Sequence, residues 1–174
     1  HYPLFKQKPD ITRFERLILY APSADQPTGD TNYNHITDVL THSLLAELGG
    51  VTSAYKPVSL YLNGEYWGIY WIREHIDEHY LDSNYNTGTD VDLLRFCRSG
   101  VPICNKGDTE YWQKTREYIL NHNLKADSVY NHVAENYINI DNFINYHIIN
   151  FYSGNYDWLD ENIDCYRSRN GDPR

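Results

Sequence analysis

Residues 139–167 read NIDNFINYHIINFYSGNYDWLDENIDCYR and contain a helix, a polar loop and a strand in succession. The helix is predicted from apolar residues that recur every three or four positions, the spacing of one face of an α-helix. These residues are Ile140, Phe143, Ile144, Ile148 and Phe151. Ser153-Gly154-Asn155 is expected to end the helix, and residues 163–167 are predicted to form a short strand.

The loop between them places an aspartate and an asparagine five positions apart, Asp157 and Asn162. In the catalytic loop of protein kinases, the same D-x-x-x-x-N spacing holds an aspartate that receives the proton of the attacking hydroxyl and an asparagine that binds Mg²⁺. Aspartate and asparagine are also common in turns for purely structural reasons. The spacing therefore indicates a candidate phosphoryl-transfer site, with ordinary turn chemistry as the alternative.

The composition limits the classes of function. The 174 residues suffice for one domain with a hydrophobic core. Lysine and arginine number 15 against 24 acidic residues, a net charge of −9, and no basic cluster occurs. Sequence-independent nucleic-acid binding requires concentrated cations, so we expect no nucleic-acid partner. The sequence also lacks a run of 18 apolar residues, so we expect no membrane span.

A hairpin is the strongest local prediction. Residues 57–71 contain two alternating strands separated by Asn63-Gly64, the dipeptide that best accommodates the two positive φ angles of a type I′ turn. The second strand is rich in aromatic residues, so we expect it to be buried on both faces or to line a cleft. Core packing is the simplest role for these residues, with adenine stacking or sugar contact as alternatives; they are Tyr66, Trp67, Tyr70 and Trp71.

The remaining pattern predicts an α+β fold with a strand-rich first half and a helical second half. The first half also contains a strand at residues 14–21, a helix at 34–48 with Asn34 as its N-cap, and a short helix at 73–81. We assign residues 1–82 to an N-lobe, 83–107 to a connection with strands at 91–97 and 101–104, and 108–174 to a helical C-lobe. Its helices are predicted at 109–121, 127–136 and 140–152, and a cleft is expected between the lobes.

Two further motifs leave alternatives open. Cys97 and Cys104 flank a plausible hairpin turn, so they are either joined by a disulfide across two strands or present as two reduced core cysteines. His75 to His79 spells H-x-x-E-H, which on one helical face can bind zinc with the glutamate as general base. Helix solvation is the simpler explanation of that motif, and a zinc hydrolase is the third functional hypothesis.

Taken together and in this order, the hairpin, residues 73–77, residues 140–144, Asp157-Trp158 and Asn162-Ile163 resemble the spore coat protein H (CotH) family of atypical secretory-pathway protein kinases. The resemblance implies a two-lobed kinase-like fold that binds ATP and Mg²⁺. Asp157 would be the catalytic aspartate and a metal ligand, and Asn162 the second metal ligand. Glu74, close to the lobe hinge, and Trp71 would contact the nucleotide.

The chain departs from the family in three places. Family members often carry an arginine where this chain has Tyr20, and an Arg-Asp pair where it has Thr37-Asp38. The family's second metal-binding aspartate follows the Asn170-Gly171 turn, and the sequence ends at Arg174 before reaching it. The sequence also lacks an initiator methionine, so we expect a processed or excised piece of a longer protein, truncated before its last metal-binding strand and weakly active or inactive.

Two functional hypotheses stand before the zinc hydrolase. The first is a kinase that transfers the ATP γ-phosphate to a protein hydroxyl, with surface or coat proteins as substrates. The second is a non-catalytic module for cell-surface assembly or glycan binding on a kinase-like scaffold, which the departures at Tyr20 and Thr37 favour. By resemblance, we expect a bacterial, spore-coat type of protein that is secreted or located at the cell surface.

Overall fold

The computed structural model describes residues 2–21, 36–97, 100–155, 158 and 161–171. Within these residues the chain forms five α-helices and two three-stranded antiparallel sheets, which confirms the predicted α+β class. The elements in chain order are β1 (Leu17–Tyr20), α1 (Thr37–Glu47), β2 (Tyr55–Leu62), β3 (Glu65–Glu74), α2 (Glu78–Tyr85), β4 (Val91–Phe96), β5 (Ile103–Lys106), α3 (Glu110–Asn121), α4 (Asp127–Asn136), α5 (Ile140–Tyr152) and β6 (Ile163–Ser168).

The chain divides into two compact units, His1–Asn84 and Tyr85–Arg174. The first unit contains β1 to β3 with α1 and most of α2, and the second contains β4 to β6 with α3 to α5. Strands β4 and β5, which lie in the predicted connection, pair within the second unit. Each unit has its own buried apolar residues: Phe5, Val39, Ala54, Tyr80 and Leu81 in the first, and Val91, Leu93, Leu94, Val133, Ile149 and Trp158 in the second.

The first sheet has the strand order β1-β3-β2, with the predicted hairpin formed by β2 and β3. Asn63 and Gly64 have φ angles of +51° and +85°, as a type I′ turn requires, so the turn prediction is confirmed. Its second strand ends at Glu74, three residues beyond the predicted end at Trp71, and it occupies the centre of the sheet. Arg73 and Glu74 therefore belong to a strand, and the helix predicted from Arg73 is wrong at its start.

Helix α2 begins instead at Glu78, because Asp77 caps it. The carboxylate of Asp77 accepts hydrogen bonds from the backbone N–H groups of His79 and Tyr80 at 3.0 and 2.9 Å. An aspartate in this position satisfies donors that have no partner within the helix. His75 consequently lies before the helix.

Helix α1 begins at Thr37, with Ile36 as its N-cap and no side-chain capping bond. The predicted start at Asn34 lies outside the described residues. At its end, Gly49 adopts a φ of +73°, and the N–H groups of Gly49 and Gly50 donate to the carbonyls of Ala46 and Leu45. This is a Schellman motif, which confirms the predicted stop at the glycine pair.

The aromatic strand β3 is not buried on both faces. Tyr66 and Trp67 are 58% and 59% exposed, and Ile69 is 63% exposed. The expectation of burial on both faces is therefore wrong for this half of the strand. The aromatic composition did not reveal this, because it does not show whether another element covers a strand.

The second sheet has the order β5-β4-β6, so the buried strand β4 lies at its centre. Asp92 of β4 is buried and is held by Arg167 and Arg169 on the β6 side of the sheet, with Nε–Oδ distances of 3.0 and 2.8 Å. The backbone N–H of Asp108 also donates to this carboxylate. Burial alone raises the pKa of Asp92, but the hydrogen bonds from Asp108, Arg169 and Arg167 together outweigh it and hold the pKa below its ordinary value.

Helices α3, α4 and α5 lie where the sequence predicts them. The apolar face predicted for α5 is largely exposed, since Phe143, Ile144, Ile148 and Phe151 are 46–69% accessible, whereas Ile149 and Asn150 are buried. Within the described residues, none of the helices combines the length and the apolarity needed to cross a bilayer.

Cys97 and Cys104 are free thiols, so the disulfide alternative is wrong; they are not core residues either, since Cys97 is half-buried and Cys104 is exposed. Cys104 lies opposite Leu94 in the β4–β5 register, three positions away from Cys97. A disulfide requires the two Cα atoms to be within about 7 Å, with the side chains pointing toward each other. The strand register instead pairs Cys104 with a residue other than Cys97.

Candidate functional site

The candidate catalytic loop leaves helix α5 through a second Schellman motif. Gly154 has a φ of +65° and donates its N–H to the carbonyl of Phe151, while the N–H of Asn155 donates to the carbonyl of Asn150 at 3.0 Å. The Asn155 side chain also donates to Oδ1 of the buried Asn150 at 2.7 Å. The start of the loop is therefore fixed to the last turn of the helix.

Trp158, which follows Asp157 in the sequence, is buried against helix α5. Its indole is 3% exposed and meets the rings of Tyr146, His147 and Phe151 with centroid separations of 5.7, 5.0 and 5.5 Å. All three contacts are close to perpendicular, the edge-to-face geometry that aromatic pairs favour. The Trp158 side chain thus packs against one side of α5.

Asn162 lies one residue before β6 and is exposed. Its backbone adopts a φ of +59°, a left-handed conformation that asparagine tolerates better than most residues. Its carboxamide supplies an oxygen of the kind that Mg²⁺ accepts as a ligand. Asp157, the predicted catalytic and metal-binding residue, lies outside the described residues, so its position relative to Asn162 stays a prediction.

Asp164, which follows in β6, has a structural partner. Its carboxylate forms two parallel hydrogen bonds with Arg95 of β4, both 2.8 Å long. The two residues lie directly opposite each other in the strand register. This pairing raises the pKa of Arg95, because the guanidinium donates to and is attracted by the carboxylate. Asp164 thereby stabilises the strand pair that carries Asn162.

Glu74, predicted to contact the nucleotide, is 4% exposed and its carboxylate is fully engaged. Oε2 accepts from Lys8 Nζ at 2.7 Å and from the backbone N–H of Ala54 at 2.8 Å, and Oε1 accepts from Asn84 at 3.1 Å. Burial lowers the pKa of Lys8, although the hydrogen bond and charge of Glu74 oppose that effect. Glu74 therefore joins the N-terminal segment to the first sheet.

Trp71, the other predicted nucleotide contact, lies three positions before Glu74 in β3. Side chains alternate along a strand, so the two residues lie on opposite faces of the sheet. Trp71 packs edge-on against Tyr55 with a centroid separation of 5.6 Å. A single ligand on one face of this sheet would therefore contact Trp71 or Glu74 and not both.

The sequence pattern did not indicate a role for Arg73, which lies on the same face of the first sheet as Trp71. Arg73 of β3 donates through Nη1 to Oδ2 of Asp38 at 2.5 Å and through Nη2 to Nε2 of His42 at 2.8 Å, both in α1. Its guanidinium also lies 5.2 Å from the centre of the Tyr20 ring. The available signal was an arginine within the aromatic strand sequence IYWIRE, because a buried cation requires a partner.

The imidazole of His42 is neutral in this cluster. Burial, helped by the positive charges of Arg73 and Lys8, lowers the pKa of His42 to about 4, although the negative charge of Asp38 opposes the shift. The cluster therefore contains one cation and one anion, Arg73 and Asp38, which a neutral ring helps to position.

The zinc hypothesis loses its geometric basis. His75 precedes α2 and His79 lies within it, so the two histidines do not share one helical face. In the part of the chain that the structure describes, no group of three or more histidine, cysteine or acidic side chains is arranged to hold a metal ion. His75 instead lies 3.5 Å from Asp77, the residue that caps α2.

Comparison with known proteins adds a family assignment. The family model described as CotH kinase protein matches residues 7–173. Searches of curated proteins and of solved structures gave no significant match. The family match spans both compact units and includes the hairpin, the helix α5 and the residues around Asn162. This chain therefore belongs to the CotH kinase protein family.

Proposed function

We propose that this protein is an atypical kinase that transfers the γ-phosphoryl group of ATP to a protein hydroxyl, with Mg²⁺ as cofactor. The observation that carries the proposal is the placement of Asn162, exposed and in a left-handed conformation at the head of β6. Earlier in the same segment, Asn155 is hydrogen-bonded to Asn150 and Trp158 is buried. The family assignment supports the same chemistry.

The residues of the loop suit the two roles that phosphoryl transfer requires. We assign to Asp157 the orientation of the acceptor hydroxyl and the acceptance of its proton, and to Asn162 and Asp157 the oxygen ligands of Mg²⁺. When bound, the metal neutralises charge on the phosphate groups. The chain's own contribution would be the carboxylate of Asp157 and the carboxamide of Asn162, two oxygen ligands of the kind that Mg²⁺ prefers.

We place the protein outside the cytoplasm, secreted or at the cell surface, with surface or coat proteins as its substrates. This placement rests on the resemblance to secretory-pathway kinases. The net charge of −9 is compatible with a nucleotide site, because the metal supplies positive charge.

The test is Mg-ATP binding by isothermal titration, with transfer of labelled γ-phosphate to a mixture of surface proteins as a second measurement. We expect Asp157→Ala to abolish transfer and Asn162→Ala to weaken Mg-ATP binding by at least tenfold. Asn86→Ala is the matched control, since Asn86 is also exposed and has a φ of +55°. This substitution also replaces an asparagine of positive φ by alanine, but at a position outside the proposed site.

The proposal fails if the wild-type protein shows no heat of binding and no thermal shift with millimolar Mg-ATP. It also fails if Asn162→Ala and Asn86→Ala bind Mg-ATP equally well. In that second case, Asn162 serves only the backbone conformation before β6 and does not bind Mg-ATP.

A non-catalytic module is the second candidate, and the exposed aromatic rings of the hairpin favour it. Tyr61 and Tyr66 lie opposite each other with ring centroids 5.5 Å apart and are about 60% exposed, as is Trp67. Exposed aromatic rings are suited to protein or glycan contact. A glycan pull-down that is lost in Tyr66→Ala, together with absent Mg-ATP binding, would favour this function over the kinase.

A further inference from the structure

An open cavity lies between helix α3 and the end of α4 in the second unit. Its volume is about 270 Å³. A water molecule takes up about 30 Å³ of the liquid, so the cavity has room for about nine waters, which is close to the size of one sugar ring. The residues that line it are Lys114, Glu117, Tyr118, Asn121, His122 and Tyr137.

Two helices provide this lining. Five of the six residues follow one another along α3 and its C-cap at the spacing i, i+3, i+4, i+7 and i+8, which places them on one face of a helix. The sixth, Tyr137, is the C-cap residue of α4, and its backbone N–H donates to the carbonyl of Val133 at 2.9 Å. The lining is therefore carried by helical backbone and not by a loop.

Aromatic rings form one part of the wall. The Tyr118 ring stacks on the His122 ring with a centroid separation of 4.0 Å and an interplanar angle of 17°. It also contacts the rings of His132 at 4.7 Å and Tyr137 at 5.4 Å. Nδ1 of His122 lies 2.8 Å from the carbonyl of Tyr118 and donates to it, because a carbonyl can only accept. The rings are thus oriented by one another before a ligand binds.

Polar groups of both hydrogen-bonding types form the rest of the wall. Lys114 presents a donor and Glu117 an acceptor. The carboxamide of Asn121, which donates to the carbonyl of Glu117 at 3.0 Å, also has a second N–H and an oxygen. In the neutral imidazole of His122, Nε2 is an acceptor because Nδ1 carries the proton. A ligand with several hydroxyl groups suits this wall, since each hydroxyl both donates and accepts.

The charges of the wall favour a neutral ligand. An anionic ligand would meet the carboxylate of Glu117, and a cationic ligand would meet the ammonium group of Lys114. Lys114 also lies 4.0 Å from Glu110, and the two side chains are 69% and 77% exposed. Exposed ion pairs contribute little, so a zwitterion such as an amino acid would gain little from the two charges of the wall.

We infer that this cavity binds a neutral sugar ring. The C–H groups of the sugar pack against the rings of Tyr118, His122 and Tyr137. Its hydroxyl groups form hydrogen bonds with Asn121 and Glu117. The site adds a binding function to the proposed phosphoryl transfer and does not depend on it. It is also separate from the exposed rings of the hairpin, which belong to the first unit.

The test is ligand-observed NMR titration of the whole chain with the methyl glycosides of glucose, galactose and N-acetylglucosamine, each up to about 20 mM. We expect at least one of them to bind with a millimolar Kd, the range for a ligand of about twelve non-hydrogen atoms in an open site. Glucose 6-phosphate, glucosamine and leucine carry a negative charge, a positive charge and both. Each of these should bind at least threefold more weakly than the best neutral sugar.

Two variants test the cavity as the place of binding. Asn121→Ala and His122→Ala should each weaken the best neutral sugar at least fivefold, about the effect of one lost hydrogen bond. Both residues are exposed, so the variants should stay folded, which circular dichroism checks. Gln113→Ala is the matched control, because it removes a carboxamide from α3 outside the lining, and its affinity should equal that of the wild type.

The inference is overturned if none of the three neutral sugars binds, or if a charged probe binds more tightly than all of them. It is also overturned if Asn121→Ala and His122→Ala bind as the wild type does, or if Gln113→Ala loses as much as they do. Loss of sugar binding in Tyr66→Ala would place the sugar on the hairpin instead and has the same meaning. Titration of the Asn121 and His122 variants with Mg-ATP keeps the two proposals apart, because affinity for Mg-ATP should not change.

Discussion

Nη2 of Arg73 donates a hydrogen bond to Nε2 of His42 across 2.8 Å, and this contact fixes the protonation of the imidazole. An arginine side chain has no acceptor, so Nε2 must carry a lone pair and the ring proton must lie on Nδ1. Protonating the ring would place a second cation against the guanidinium. The pair therefore joins β3 to α1 only while His42 is neutral.

We predict that acid destabilises the protein through His42. The unfolded chain protonates this residue near pH 6.5, whereas in the folded state the pKa is about 4, so the unfolded state binds more protons between these values. Stability is therefore full above about pH 7 and falls as the pH drops toward 4, by up to about 3 kcal/mol from this group. Urea unfolding at a series of pH values measures the loss.

His42→Gln is the control for this prediction, because glutamine keeps an acceptor for Arg73 and does not titrate. The groups that face the imidazole are Asp38, Arg73 and Lys8, and all of them remain in the variant. Its stability should fall less steeply between pH 7 and 4 than that of the wild type. If the free energies of unfolding of the variant and the wild type fall equally between pH 7 and 4, His42 is not the group responsible.

Gly107→Ala should destabilise the second unit more than Gly88→Ala. Both glycines have a positive φ, +75° and +68°, so alanine costs each about 1 kcal/mol in backbone strain. A Cβ at Gly107 would also collide with the Asp92 carboxylate and come within 2.6 Å of the carbonyl of Val91, whereas Gly88 has open space. The collision disturbs the buried aspartate that binds Arg167 and Arg169.

Thermal unfolding of the two glycine variants gives the comparison. We expect Gly107→Ala to cost about 3 kcal/mol in all, consistent with a strained residue that also disturbs a buried ion pair. Equal losses in the two variants would mean that the loop moves aside without affecting Asp92.

Trp158→Ala should lower the free energy of unfolding by about 3–5 kcal/mol, the range for removing a buried aromatic side chain. The contacts of its ring with Tyr146, His147 and Phe151 would be lost, and with them its packing against α5. Trp67→Ala is the matched control, since Trp67 is 59% exposed, and should cost less than about 1 kcal/mol. Denaturant titration followed by circular dichroism measures the free energy of unfolding of both variants. Similar values for the two would contradict the role of Trp158 in packing against α5.

Local sequence signals predicted several elements correctly because the interactions that form them are also local. The type I′ turn depends only on the positive φ values that Asn63 and Gly64 tolerate. The ends of α1 and α5 follow from glycines that accept the left-handed conformation of a Schellman motif. The predicted start of a helix at Arg73 was wrong because the sheet extends β3 to Glu74, and hydrogen bonding with β1 is not a local property.

The candidate site was only partly predictable. The sequence indicated Asn162 through its spacing from Asp157, and the structure places it exposed at the head of β6. It did not indicate Arg73, whose partner Asp38 is 35 residues away. Glu74 was selected as a nucleotide contact, and the structure shows a buried carboxylate with Lys8 as its partner, 66 residues away.

The sequence alone determined the family, the α+β class, the hairpin turn and the positions of the helices in the second unit, because each is encoded by residue spacing and local backbone preference. Only the tertiary structure decided which charges pair and which aromatic residues are covered. Arg167 meets Asp92 across 75 residues, and Trp67 remains exposed despite lying in the most aromatic strand of the chain. Such outcomes depend on which elements pack together. The local sequence around a side chain does not identify a partner that is distant in the chain.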